Sequence, residues 1–406
     1  MNEIVNTHTA FEPLKKTWVG KCYPPEFFDY ITNKEARQLT QQVCEETTED
    51  LETFISKIKS FGVEVEQPDI VLTSKDAKKI LDSGKEIPRP PLSPRDNYIA
   101  LGKVLYRFAN DPSYDSLFEK YKKAGATVYD PYNNQDQRDL LSNEEYEKWW
   151  SVGKVSSDEL TKKNIMHPYQ KSDDDRKIRT HLYPAASINK CGKILNIESL
   201  PKTLIKWSEE SWNNFSIHHA STNGGMKDGR FSTLKKGLIL TLQDLPNYDT
   251  TYPNWDTIIL PNQGNLAMKE QLPKLVGHST NKGVYGNAWY ETGDLNQDHV
   301  NYIDEWINYW SPFTKEHIVD VNAFSIDQSN VILNGYNERL YELLQTKYGI
   351  TAHFVHYRHR YFWDGGHHCN TVDIVREDTN TDYITVDNKK DSTVIEIEIA
   401  KENRRL

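Results

Sequence analysis

Apolar and polar positions follow one recurring order along the chain: two short strands around a tight turn, an amphipathic helix, then a strand introduced by glycine. In the clearest copy, Asn97-Tyr98-Ile99-Ala100-Leu101-Gly102-Lys103-Val104-Leu105-Tyr106-Arg107-Phe108, β-forming residues flank a turn glycine and predict a hairpin. Tyr114, Leu117, Phe118 and Tyr121 follow at the spacing of one helix face, and Gly125-Ala126-Thr127-Val128-Tyr129 leads into a strand. The unit recurs at Ser187 to Ile197, with a helix from about Pro201 to Trp212, and at Arg230 to Leu240, with the later strand Thr257-Ile258-Ile259-Leu260. It recurs again at Ala323 to Leu333, with a helix carrying Leu340, Leu343, Leu344 and Tyr348 and a strand over Gly349 to Val355. Half a unit stands at each end. The N-terminal half holds Lys16 to Gly20, a helix with Leu51, Phe54, Ile55, Ile58 and Phe61, and Gly62 to Val65; the C-terminal half is the strand from Cys369 to Val375. Joined, the halves make a fifth unit, and the economical architecture is five α/β units in a ring closed by pairing the N- and C-terminal strands, because closure leaves no sheet edge open. The rival, an open doubly wound sheet, lacks its phosphate-binding Gly-rich turn.

Three stretches stand outside the pattern. Residues of about 130–180 are polar and charged, and about 262–318 are rich in Asn, Tyr and Trp; both predict surface excursions from a single domain spanning 1–406. In the C-terminal extension, about 378–406, residues 394–399 alternate strictly and predict a half-exposed strand, which covers its own fold or pairs with a second copy or another protein.

The net charge of −10 argues against a nucleic-acid or anionic-membrane partner. Cys22, Cys44, Cys191 and Cys369 lie far apart, so neither a disulfide framework nor a zinc ribbon is indicated, and a cytoplasmic, reducing setting is the expectation. The start is polar and acidic and no apolar run is long enough to span a bilayer, which leaves no secretion or membrane signal.

The densest chemistry lies in Tyr361-Phe362-Trp363-Asp364-Gly365-Gly366-His367-His368-Cys369-Asn370-Thr371-Val372-Asp373. Two glycines allow a tight turn and close approach to a ligand, two imidazoles follow, and a thiol opens a strand; the bland alternative is a buried structural cysteine after an ordinary turn. Gly-Gly-x-His-Cys-x-Thr-x-Asp near the C-terminus resembles the cysteine loop of the arginine:glycine amidinotransferase family, guanidino-modifying enzymes of the pentein superfamily. The resemblance runs over essentially the whole chain and implies a five-bladed, pseudo-symmetric α/β-propeller. It implies that Cys369 is a nucleophile toward the amidino carbon of a small guanidino compound such as arginine, with no cofactor. Pro94-Arg95-Asp96 is similar to the family's Pro-Arg-Asp, which makes Asp96 a candidate guanidinium carboxylate; the alternative is an Asp capping a hairpin. Met226-Lys227-Asp228-Gly229-Arg230-Phe231 resembles the family's His-x-Asp segment and assigns Asp228 the second carboxylate, while His368 matches a histidine common beside the family's cysteine.

Two family positions depart from the pattern: Pro184 falls where the family has its catalytic Asp, and Met226 where it has its catalytic His. Neither side chain can move a proton. A general acid–base contributes about 10²–10⁴-fold, so the expectation is weak or lost amidinotransferase activity, and the alternative a catalytically inactive protein of this fold with a binding or structural role. His218 and His219 offer a rougher match to the missing histidine. His353, His356, His359, His367 and His368 invite a metal, but the spacing of the first three alternates faces on a strand, so no metal site is expected.

Overall fold

The computed structural model describes residues 3–83, 87–109, 111–130, 188–198, 212–220, 228–242, 245, 247–260, 297–302, 321–363 and 365–395. Most of the two excursions, with Pro184, Met226 and residues 396–406, lies outside them. Strands form five separate sheets, and no sheet closes on itself among the described residues. The first joins β1 (Leu14–Val19) antiparallel to β15 (Thr371–Arg376) and parallel to β2 (Glu64–Glu66). The second holds β3 (Tyr98–Leu101), β4 (Val104–Arg107) and β5 (Thr127–Tyr129). The third holds β6 (Ile188–Cys191), β7 (Ile194–Glu198) and β8 (Ser216–Ala220). The fourth holds β9 (Phe231–Lys235), β10 (Leu238–Thr241), β11 (Asp256–Ile259) and β16 (Ser392–Val394), and the fifth β12 (Phe324–Asp327), β13 (Asn330–Leu333) and β14 (Thr351–Phe354). Each sheet repeats one plan: a middle strand antiparallel to the first and parallel to the third.

The chain ends meet as the half-units require, with Trp18 opposite Val372 and Val19 opposite Thr371. Helices supply three of the parallel crossovers, α1 (Lys34–Lys59), capped by Asn33, α3 (Asp115–Lys123) and α4 (Glu338–Tyr348), capped by Asn337, while α2 (Ser74–Asp82) lies between the first sheet and the second along the chain. Before three of the third strands a glycine takes a left-handed conformation, and Asn254 with φ 63° does the same before β11. The reading along the sequence left out β8, which no glycine introduces; its residues were weighed only as a histidine motif.

Apolar burial is divided among five clusters, each shared by two sheets. Trp18, Val372 and Ile374 pack with Tyr98, Ala100 and Leu105 between the first and second sheets. Ile99 and Leu101 meet Leu195 and Ile197, Cys191 and Ile194 meet Phe231 and Ile239, and Leu238 and Leu240 meet Val331 and Leu333. Phe324, Ile326 and Ile332 then pack with Leu14 and Val19, returning from the fifth sheet to the first beneath α1.

Two irregular segments cross the hairpin turns. Residues after Glu3 bridge Thr7 to Gly102 and Thr9 to Cys191, and the tail bridges Asp382 to Gly192. Gly192 has φ +71°, and a Cβ there would stand 1.9 Å from the Thr381 carbonyl oxygen, so the tail requires glycine at that turn. Beyond it the tail enters the fourth sheet as β16, parallel to β11, with Ile395 buried. The strand expected over 394–399 therefore begins earlier, and its described part covers the chain's own fold.

Candidate functional site

The polar residues immediately before the first strands converge. Cys369 lies two residues before β15, Asp96 two before β3, Asn322 two before β12 and Asp228 three before β9. Cys369 ends a turn in which the Asn370 amide donates to the Gly366 carbonyl (3.1 Å) and the Thr371 amide to the His368 carbonyl (3.1 Å). A Cβ on Gly365 would lie 3.2 Å from the Cys369 Cβ and 3.5 Å from its sulfur, so glycine leaves the thiol its room.

Arg95 clamps this turn. Its Nε donates to the His368 carbonyl (2.8 Å), and its Nη2 to Thr371 Oγ1 (3.0 Å) and Asp373 Oδ1 (2.8 Å). Asp373, fully buried, also accepts from Arg376 Nε at 2.9 Å. Burial works against its charge, but Arg376, Arg95 and Lys190 outweigh it and hold the carboxyl well below the usual carboxylate range. A buried carboxylate between two guanidinium groups fixes the turn because losing any member strands a charge.

At the chemistry itself, Cys369 Sγ donates to Asp228 Oδ2 (3.2 Å), and His368 Nδ1 bonds Asp228 Oδ1. Burial opposes ionisation of Asp228, but His368, Arg95 and the thiol hydrogen bond hold it below its ordinary value. An ionised carboxylate only accepts, so Nδ1 carries the proton and Nε2 is the basic nitrogen. Burial, then the Arg95 charge, lowers the His368 pKa, leaving a neutral ring. The thiol is pushed well up, first by burial and then by the charges of Asp228 and Asp96. His368 and Asp228 line a cavity with Arg95, Lys190, Ser232 and Thr233.

Of the residues singled out in the sequence, Cys369, His368 and Asp228 are thus in mutual contact. Asp96 is half-buried nearby and reaches the thiol through its field. Asp228, expected to grip a guanidinium, has its two carboxylate oxygens bonded to His368 and Cys369. His367 turns away from the site: it stacks on Phe54 at 4.1 Å, donates from Nε2 to the Val355 carbonyl (2.7 Å), and burial drives its pKa to about 3. His218 and His219 are exposed on β8. His353 bonds Asn330 and His359 bonds Glu46. Among the described residues no cluster of His, Cys, Asp or Glu could hold a metal ion, and no helix is long and apolar enough to cross a membrane. Asn322 and the clamp role of Arg95 escaped the sequence reading. The signal for Asn322 was its place two residues before a unit's first strand, the place Cys369 and Asp96 hold in theirs.

No family model matches the chain, and no curated protein matches it. Solved structures do. SxtG, an amidinotransferase from Microseira wollei in the saxitoxin biosynthetic pathway, superposes with a TM-score of 0.57 at 15% identity, covering 94% of this chain and 99% of that one. The inosamine-phosphate amidinotransferase StrB1 from Streptomyces griseus gives 0.56 at 15% identity, covering 95% and 100%. At this identity the likeness is one of fold: the chain has the fold of these two amidinotransferases.

Proposed function

We propose that the chain binds a small guanidino compound such as arginine and acts on it through Cys369 as a slow, amidinotransferase-type enzyme. The observation that carries this reading is the meeting of the Cys369 thiol and the His368 imidazole on one carboxylate, Asp228. The same reading takes the five sheets as blades of one closed α/β-propeller, supported by clusters that pass from sheet to sheet and back to the first. Four free thiols accord with a cytoplasmic setting.

The resting thiol is protonated, because burial and two carboxylate charges oppose ionisation. A guanidinium near Asp96 and Asp228 offsets those charges, so the cation to be attacked also favours the thiolate. The thiol proton passes to Asp228 Oδ2, the acceptor it already points at, sulfur bonds to the amidino carbon, and the carbon–nitrogen bond to ornithine breaks as the leaving amine takes that proton. An acceptor amine, such as glycine, then bonds to the same carbon, the carbon–sulfur bond breaks, and the proton the amine gives up returns to the sulfur. With Pro184 and Met226 at the positions of the family's Asp and His, the Asp228–His368 pair is left to move the proton, and slow turnover follows.

Incubation with arginine, an ornithine assay and intact-mass analysis test the reading. Slow ornithine release and an amidino adduct, both absent in Cys369→Ala, are expected. A second reading, a silent binding protein, is favoured by the engagement of both Asp228 oxygens; arginine binding without ornithine or adduct would establish it over the first.

A further inference from the structure

Asn322 makes more hydrogen bonds at the thiol than any residue given a role above. Its side chain is buried before β12, and its Oδ1 accepts from the backbone amides of Gly366 (3.1 Å), His368 (2.9 Å) and Cys369 (3.1 Å). Three N–H groups can converge only on the oxygen of a carboxamide, so the network itself fixes which way the amide faces. Nδ2 therefore points the other way, donating to Cys369 Sγ at 3.1 Å and to the Asp228 carbonyl at 3.2 Å.

The sulfur thus stands between a donor and an acceptor of opposite effect. Asp228 Oδ2 takes the thiol hydrogen and favours the protonated form. The Asn322 N–H binds a sulfur lone pair and favours the thiolate. Other charged or titratable groups around the turn are Asp96 before β3, His368 on the turn, and Arg95, which grips the turn from the second sheet. Of the side chains bonded to the sulfur, Asn322 is the donor.

We propose that Asn322 is a positioning residue for the Cys369 chemistry: its carbonyl gathers the turn's amides, and its N–H, aimed at the sulfur, stabilises the thiolate. The inference rests on reading Cys369 as the nucleophile. Its partner Asn334 donates from Nδ2 to the Asn322 backbone carbonyl (3.2 Å) and accepts from the His367 amide (2.9 Å), bracing the turn.

The test is the pH dependence of Cys369 alkylation by iodoacetamide in the full chain, read by peptide mass. Asn322→Ala removes the donor without adding a charge and should raise the alkylation midpoint by about one pH unit, which slows alkylation about tenfold below it. Asn322→Ser takes its place if Asn322→Ala fails to fold, with the same direction expected. Asn334→Ala should lower thermal stability and leave the midpoint where it is. An unshifted midpoint in the folded Asn322 variant, or an equal shift in Asn334→Ala, overturns the proposal. The measurement uses no arginine, so absent ornithine release would sink the functional reading and leave this result standing.

Discussion

The start of the first strands and the hairpin turns at their far ends are held by different chemistry. At the strand starts, side chains do the joining: Arg95, Asp228, Asn322 and Cys369 arrive from four sheets and bind one another through specific atoms. At the turns, backbone does most of it. The Thr7 amide donates to the Gly102 carbonyl (2.9 Å), Gly192 to His8 (2.7 Å) and Lys193 to Thr381 (2.7 Å), with Asp378 gathering the amides of His8 (2.8 Å) and Thr9 (2.7 Å). One end can therefore host chemistry that a substitution abolishes, while the other carries closure made largely of backbone hydrogen bonds, with glycine required at Gly192. Asp373 belongs to both, since it grips Arg95 toward the thiol and Arg376 toward the turns.

The largest expected effect comes from breaking that link. Asp373→Asn leaves two buried guanidinium groups under-neutralised, and a loss of about 3–5 kcal/mol is expected from urea denaturation, with altered Cys369 alkylation. A loss below about 1 kcal/mol would show the pairing to be incidental. Next comes Asp378→Ala at the turn end, which frees two buried amides and should cost about 2–3 kcal/mol while the alkylation profile of Cys369 stays as it was. A moved profile would mean the two ends are not separable.

The smallest effect separates two adjacent histidines. His367 is held neutral by burial with its pKa near 3, so the unfolded chain binds a proton there at pH 5 and the folded chain does not. Its contribution is present above about pH 6.5 and fades as pH falls toward 3, amounting to about 2 kcal/mol between pH 7 and 5. His299 and His356, lowered to about 4 by burial, act in the same direction. Denaturation of His367→Gln across this range should show a flatter pH slope; an unchanged slope would remove His367 from the account.

The same contrast explains what was legible beforehand. Side-chain chemistry leaves a trace in sequence, so Cys369, His368 and Asp228 could be named, and the apolar periodicity of the units forecast the pairing of β1 with β15. Backbone bridges leave almost none, which is why the path of residues 4–9 and the contacts of the tail at Gly192 escaped notice. Asn322 fell between: asparagine at a strand start reads as an ordinary turn residue until the amides around its oxygen are placed. Asp228 could be singled out from its motif, whereas spacing along a chain does not reveal that His368 and Cys369 share its two oxygens.

The pairing of Val19 with Thr371 also sets a schedule for synthesis. Strand β1 can join β2 as soon as α1 has formed, but its other edge waits for a partner made near the end of translation. At about 5–20 residues per second that interval is on the order of tens of seconds, with one edge of a strand carrying Trp18 unpaired throughout. A ribosome-bound chain halted before Thr371 should therefore expose this edge to chaperones, and one extended past Arg376 should not.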